Sequence, residues 1–467
     1  MNCAAWLKSH LGSLLAGGTL LVVLAVSGIA KWETIRSGDS GPSSEARTVA
    51  SVTVRVLLGG TQRQSTAWGQ LLRVFERTHP DIDIEFVPTI PGQTYQAQVQ
   101  TAMLGGHCAD LMFFENEPFP NFAVDGAFLD LTPFIEREAY DLSDFFPVTL
   151  EEFTYDGRLY GLPQGGGPIV IFYNADLFEE FGVEYSDDWY WDDFVEAARR
   201  LTVDRNGDGR IDIYGYQGKR EITHALIPVW SSGGSALSED RRSWHFNTPT
   251  NLVAFTWWAE LWTKHGIQAH PSASREGADA GLSIPFVEGW VAMEESGPYF
   301  AKYLRQHTKF RWAIGYHPKS PVTGKRVTRY YGDGYVAWAK TEHPEEVWEL
   351  LKFLAGPVGM RMIARTSRSI PARISVARSS AFNRADTPWD ESRLVDAMDW
   401  ARRQPITEYF GEFDRICTKY IGRLFSFEGR SLFETMSPEE VLAAIDLELN
   451  AYAEGWWRRR DRANRER

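Results

Sequence analysis

The sequence predicts an α/β protein built as two lobes, and three observations carry that expectation. The chain has 467 residues with 43% hydrophobic content, enough for two ordinary globular cores. Its early part alternates strand and helix patterns, the order that builds parallel βαβ units. Further on, Gly157 to Asn174 (GRLYGLPQGGGPIVIFYN) reads as a turn at Asp156-Gly157, a short strand Leu159 to Leu162, a break from Pro163 to Pro168, and a buried-type strand Ile169 to Tyr173. Such a break is either a crossing between lobes, where three glycines let a ligand or another backbone come close, or a long hairpin loop.

At the start, Leu11 to Ala30 is an apolar run without charge, with Lys8 before it and Lys31 and Arg36 after it. It reads as an export signal, either cleaved near Gly28-Ile29-Ala30 or retained as a membrane-spanning anchor. No cysteine follows the run, which excludes a lipoprotein anchor. Residues 1–36 are thus expected as signal or anchor and 37–50 as a linker, with the folded part starting near Val49.

Val52, Val54 and Val56 alternate with polar residues as a first strand, ahead of a Gly59-Gly60 turn. Ala67, Leu71, Leu72, Val74 and Phe75 then share a helical face, and Ile82, Ile84 and Phe86 alternate as a second strand. A helix over Tyr95 to Leu104 and a strand over Asp110 to Phe114 follow. Ligands of open α/β sheets sit beyond the carboxyl ends of strands, which places Glu115, Asn116 and Glu117 well.

After the glycine stretch, Trp189 to Leu201 is amphipathic, introduced by Asp187 and Asp188. Asp204, Asn206, Asp208, Gly209 and Asp212 have the oxygen spacing of a calcium loop, but Gly215 stands where the closing Glu belongs and no helix pattern follows. A tight hairpin turn is the favoured reading and a Ca2+ site the weaker one; no other cofactor is expected. Val347, Trp348, Leu350, Leu351 and Leu354 form a helix face ended by Gly356-Pro357. Ser437 and Glu440 form a capping box ahead of Val441, Leu442, Ile445 and Leu449.

A formal charge of -13 argues against a nucleic-acid partner, which needs a basic surface. The basic run from Trp456 to Arg467 reads as a solvated tail, with anionic lipid contact as the alternative. Cys3, Cys108 and Cys417 form neither a disulfide scaffold nor a metal cluster; Cys108 and Cys417 are expected as separate buried thiols. Trp 18, Tyr 18 and Phe 27 supply either a large core or the surplus ring faces that sugar clefts use. No G-x-S-x-G, HExxH or P-loop occurs, and no spacing singles out a glycosidase carboxylate pair.

FERTHPDIDIEFVP at Phe75 to Pro88, LGGHCADLMF at Leu104 to Phe113, and above all GRLYGLPQGGGPIVIFYNADLFEEFG followed by Tyr214-Gly215-Tyr216 resemble an extracellular solute-binding protein of the sugar-binding class, the group of ABC importer receptors that includes maltose-binding protein. His107-Cys108 departs from the small residue and proline usual there. Trp230 to Gly234, Phe286 to Tyr299, Tyr331 to Trp338 and Ile370 to Arg373 continue the resemblance in order. It implies a type II periplasmic-binding-protein fold, each lobe a mostly parallel sheet flanked by helices, after an N-terminal apolar helix. Lobe 1 would hold 51–161 and 333–376, lobe 2 would hold 162–332 and 377–457, and 458–467 would be a basic tail.

The resemblance also implies a ligand set. Phe114 and Tyr299 would be aromatic platforms, Glu115 and Glu117 carboxylates at the cleft, and Gln164, Gly332 and Asp333 crossing residues. Glu221, Trp230 and Tyr409, or its neighbour Phe410, would complete the cleft. It implies a non-catalytic, exported, monomeric receptor, periplasmic or extracellular, that hands a sugar or oligosaccharide to ABC permease subunits. A membrane-tethered sensor and a carbohydrate-active enzyme are the alternatives.

Overall fold

The computed structural model describes residues 51–58, 62–90, 94–268, 284–364, 369–383, 390–425 and 435–466. The expected N-terminal helix, the linker and the Gly59-Gly60 turn lie outside them. β1 (Val52–Leu57) pairs in parallel with β2 (Ile82–Phe86) and β3 (Leu111–Glu115). The intervening helices are α1 (Gln62–Thr78), which buries Leu71, Leu72 and Phe75, and α2 (Tyr95–Leu104), where the Ala97 N–H donates to the Thr94 side chain at 3.2 Å. After β3 a short helix α3 (Phe119–Ala123) leads back along the sheet. A small hairpin, β4 (Thr154–Tyr155) with β5 (Arg158–Leu159), turns through Asp156 and Gly157, both at positive φ.

The expected break from Pro163 to Pro168 is not a break. β6 (Gly161–Pro168) is a continuous strand of 8 buried residues. It lies antiparallel between a long strand, numbered β10 below and running Thr328–Ala337, and a short one, Ile370–Pro371, numbered β11. The glycines serve close approach. A Cβ at Gly166 would stand 2.2 Å from the Tyr331 carbonyl oxygen and 2.3 Å from the Tyr330 hydroxyl, and one at Gly165 2.3 Å from the Ile370 carbonyl oxygen. The register shifts between Asp333, opposite Gly165, and Gly334, opposite Pro163. Gln164 is therefore the extra residue of a bulge, the place where a sheet tolerates proline.

From β6 the chain enters a second sheet. β7 (Val170–Asn174) lies between β8 (Met293–Ser296) and β9 (Trp312–Gly315) and is antiparallel to both. This corrects the expectation of a mostly parallel sheet in each lobe. β8 and β9 run the same way and are joined by the helix Pro298–His307, but β7 is inserted between them in the opposite sense. β10 and β11, already placed beside β6, follow, and β12 (Ala401–Arg403) pairs in parallel with the start of β10.

The cores follow this division only in part, because Tyr330 of β10 and Ile370 of β11 pack in one core with Val170 and Phe172 of β7. One gathers Val54 to Leu162 with Tyr335 to Val376 around the larger sheet. Val170 and Phe172 face a second core while Ile171 faces another, the alternation of a strand covered on both sides. A fourth core is mostly helical, formed by α5 (Ile222–Ser231), the helix Pro249–Thr263 and two C-terminal helices, with Ala236, Trp244 and Phe246 added from the connection between the first two. Between α2 and α5, α3 is as given and α4 spans Trp191–Arg200. The C-terminal pair is α6 (Phe410–Ile421) and α7 (Pro438–Glu466).

Ser437 and Glu440 cap α7 reciprocally, with Ser437 N to Glu440 Oε2 at 2.8 Å and Glu440 N to Ser437 Oγ at 3.3 Å. The segment expected as a basic tail is helical, since α7 continues through residue 466. Its last turns are held by Arg242, which lies 4.5 Å over the Trp457 ring and pairs with Asp461 at 3.3 Å. Cys108 and Cys417 are free thiols in different cores.

Candidate functional site

Two long strands, β6 and β10, carry the chain between the cores, and polar side chains collect beside their crossing. Asp333 lies opposite Glu115 of β3 on one side and Gly165 of β6 on the other. The Asn116 N–H donates to the Gly332 carbonyl at 3.1 Å, fixing the turn after β3 against the crossing. The Gln96 amide donates to Glu115 at 3.0 Å. Burial pushes the Asp333 carboxyl up to about 7, and the like charges of Glu115 and Glu117 add to it. Burial, with Glu117 beside it, raises Glu115 too.

From Glu117 a chain of charged groups runs into the second body. Arg329 Nη2 donates to Glu117 Oε1 at 3.2 Å, and Arg329 Nη1 stands 3.2 Å from His224 Nε2 in the first turn of α5. His224 Nδ1 lies 3.1 Å from Glu295 of β8, which also sits 3.6 Å from His317. Burial opposes the charge on Glu295, yet His224 and then His317 draw it below the usual carboxylate range; burial lowers His317. Glu117 remains partly open, its side chain 40% exposed, so one face of this carboxylate is free for an incoming hydroxyl.

Tyr299 stands over the crossing from the other side. A Cβ at Gly297 would lie 2.5 Å from the Tyr331 hydroxyl and 3.1 Å from the Tyr299 ring, and one at Gly167 would strike Pro298 at 2.2 Å. These glycines let the start of the Pro298–His307 helix close onto β6 and β10. Tyr299 is half-buried, with its hydroxyl 3.2 Å from Ser296 Oγ.

The structure thus brings together Glu115, Glu117, Gln164, Gly332, Asp333 and Tyr299, with Glu221 at the rim: exposed, at the N-terminus of α5, and 3.9 Å from His224. Three expected contacts are corrected. Phe114 is a core ring, 1% exposed, edge-on to Phe122 and Phe128. Strand alternation explains this, because Glu115 faces the crossing and its neighbour must face the core. Tyr409 is buried in the helical core, accepting from Trp244 Nε1 at 3.2 Å and packing on Tyr452 and Trp456. Trp230 is buried in that core as well, under the guanidinium of Arg402 at 5.2 Å. Phe410 is half-buried against it.

Sequence reasoning missed Arg329, His224, Glu295 and Gln404. One signal was available: Thr328-Arg329-Tyr330 directly precedes the Gly332-Asp333-Gly334 crossing, and an arginine inside a buried strand needs a charged partner.

Asp204 to Asp212 closes as a hairpin on the Val203–Ile213 bridge. Its acceptors are turned onto its own backbone: Asp204 takes the N–H of Gly207 and of Gly209, each at 2.8 Å, and Asp212 takes that of Arg205 at 2.8 Å. Asn206 and Asp208 accept from the N–H groups two residues on, each at 2.8 Å.

Residues 59–361 match the sequence model of one family, described as bacterial extracellular solute-binding protein. A putative binding protein of Brucella abortus is 24% identical over 337 residues, 70% of this chain and 78% of the relative. The mannitol-binding protein of Pseudomonas aeruginosa is 25% identical over 392 residues, 80% of this chain and 87% of the relative. Among solved structures, an ABC substrate-binding protein from Listeria monocytogenes in complex with cycloalternan superposes with a TM-score of 0.71 at 21% identity, covering 86% of this chain and 99% of that one.

Proposed function

Because the chain belongs to the bacterial extracellular solute-binding proteins, we infer that it is an exported receptor that captures a sugar or oligosaccharide between two lobes and delivers it to an ABC transporter permease. The observation that carries this reading is the crossing of β6 and β10. There Glu115, Glu117 and Asp333 from one side meet Tyr299, Arg329 and His224 from the other. A pyranose has apolar C–H faces and a rim of hydroxyls. The half-buried Tyr299 ring suits the faces, while carboxylates accept from hydroxyls and Arg329 donates to them. Names of relatives point the same way, since they include mannitol-binding, arabinooligosaccharide-binding and lactose-binding proteins.

The mechanism is population shift: a ligand touching both sides of the crossing favours the closed arrangement, which the permease reads. In this reading the lobes are 51–161 with 333–376 and 162–332 with 377–457, a division supported by the core that joins Val54 to Leu162 with Tyr335 to Val376. The protein works as a monomer outside the cytoplasmic membrane, without catalysis and without a cofactor, on a cleaved signal or a retained anchor. A thermal-shift screen of the full chain against a carbohydrate library tests it. Binding to the native state raises the melting temperature by mass action. Carbohydrates should shift it, and a shift from amino acids, peptides or metal ions with none from any carbohydrate refutes the assignment.

A further inference from the structure

Polar contacts run outward from the cleft along α3. Asn121 lies on α3, with Glu117 in the turn before it and Asp125 in the turn after it, while Phe119 and Ala123 of the helix are in the first core. Each meets a group carried by the helical body. The Gln404 amide donates to Glu117 Oε1 at 3.0 Å. Asn121 faces the carbonyls of Glu408 and Thr407, and with its amide turned so that the nitrogen points to them it would donate to both, at 2.8 Å and 3.2 Å. Arg460 on α7 donates to Asp125 Oδ1 at 2.7 Å and, through its other terminal nitrogen, to the Val124 carbonyl.

The opposing strip is firmly placed. Gln404, Thr407 and Glu408 are buried just ahead of α6, and Arg241 donates to the Ile406 carbonyl at 2.6 Å. α7 is anchored by Val441 to Ala453 in the helical core, and its 29 residues extend roughly 43 Å at 1.5 Å per residue, long enough to span from that core to α3.

We propose that this line of contacts is a latch that holds the two lobes in the arrangement of this structure and, reaching from the cleft to its outer edge, tunes the receptor's affinity. It rests on the two-lobed receptor reading and adds the regulation of the same cleft. The innermost contact uses Glu117, whose carboxylate accepts from both Arg329 in the cleft and Gln404 of the opposing strip, so one side chain ties the cleft to this line of contacts. The outermost pair is open to solvent at Asp125, 66% exposed, and its strength therefore falls with salt.

Spin labels on exposed Arg77→Cys of α1 and Glu196→Cys of α4, in the full chain with Cys3→Ser, report lobe separation with no sugar added; Cys108 and Cys417 are buried. At low salt, Arg460→Gln and Asp125→Asn should each enlarge the longer-distance population by about two- to fivefold, the range of an exposed ion pair. The two together should add little to either alone. The exchanged pair Asp125→Arg with Arg460→Asp should restore the parent distribution. Distributions identical to the parent in both single variants overturn the latch, and leave the sugar reading standing because no ligand enters the measurement. Failure of every carbohydrate to bind the parent would refute the sugar reading, with the label distances still deciding the latch.

Discussion

Replacing Asp333 by Asn removes a carboxylate from the middle of β10 and should abolish the loss of stability with rising pH that this group imposes on folding. In the unfolded chain this group titrates near 3.9, whereas burial, then Glu115 and Glu117, lift it to about 7 in the fold. The folded state therefore holds the proton more tightly. Its contribution to stability is full below about pH 4 and is lost as pH rises through 7. The full linkage value is about 4 kcal/mol, and the part exposure of Asp333 halves it to roughly 2 kcal/mol. The neutral amide of the variant carries no charge to desolvate. Urea unfolding of parent and Asp333→Asn at pH 4.5 and pH 8 reads the term together with its coupling to Glu115 and Glu117, because the groups remote from Asp333 cancel in the difference. The variant should gain about 2 kcal/mol relative to the parent between the two pH values. An unchanged difference, or a relative loss at pH 8, would refute a buried and destabilised carboxylate at this position.

Phe114→Ala should cost about 3–5 kcal/mol of folding stability by urea unfolding, since the ring is packed between Phe122 and Phe128; a loss under about 1 kcal/mol would make it a surface ring instead. Tyr299→Ala should weaken carbohydrate binding by about 1–3 kcal/mol in titration calorimetry while lowering stability far less; normal affinity would remove Tyr299 from the cleft. Chelator should leave the melting temperature unchanged, because the acceptors of Asp204 to Asp212 already hold backbone N–H groups. A drop of several degrees, reversed by calcium and not magnesium, would place an ion there.

The strand–helix–strand start was legible because period-2 and period-3.6 patterns report single faces, and β1, β2 and α2 fall where those patterns end. The glycine stretch reads as an irregular break, either a crossing between lobes or a hairpin loop, whereas it is a continuous strand that leads from the larger sheet into the second one. Local composition says that Gly165 to Gly167 can adopt many conformations, but the tight approach of Ile370, Tyr331 and Pro298, contributed by distant segments, selects a strand. The same limit explains the aromatic errors. Phe114 and Tyr409 belong to segments near the cleft, yet which side of a strand or helix start faces ligand is decided by the partner core, and a position one residue away reverses it. Glu117 and Asp333 do lie beside each other, as their places after β3 and in the Gly332-Asp333-Gly334 segment led us to expect. Arg329 and His224 were invisible as a pair because 105 residues separate them.

Small-angle scattering of the full chain, with and without the carbohydrate that most raises its melting temperature, tests the central claim most directly. If sugar is gripped between lobes joined at β6 and β10, the radius of gyration must fall on saturation, and Glu117→Gln must need more sugar to reach the same compaction. A radius that stays constant under saturating sugar would contradict capture by lobe closure.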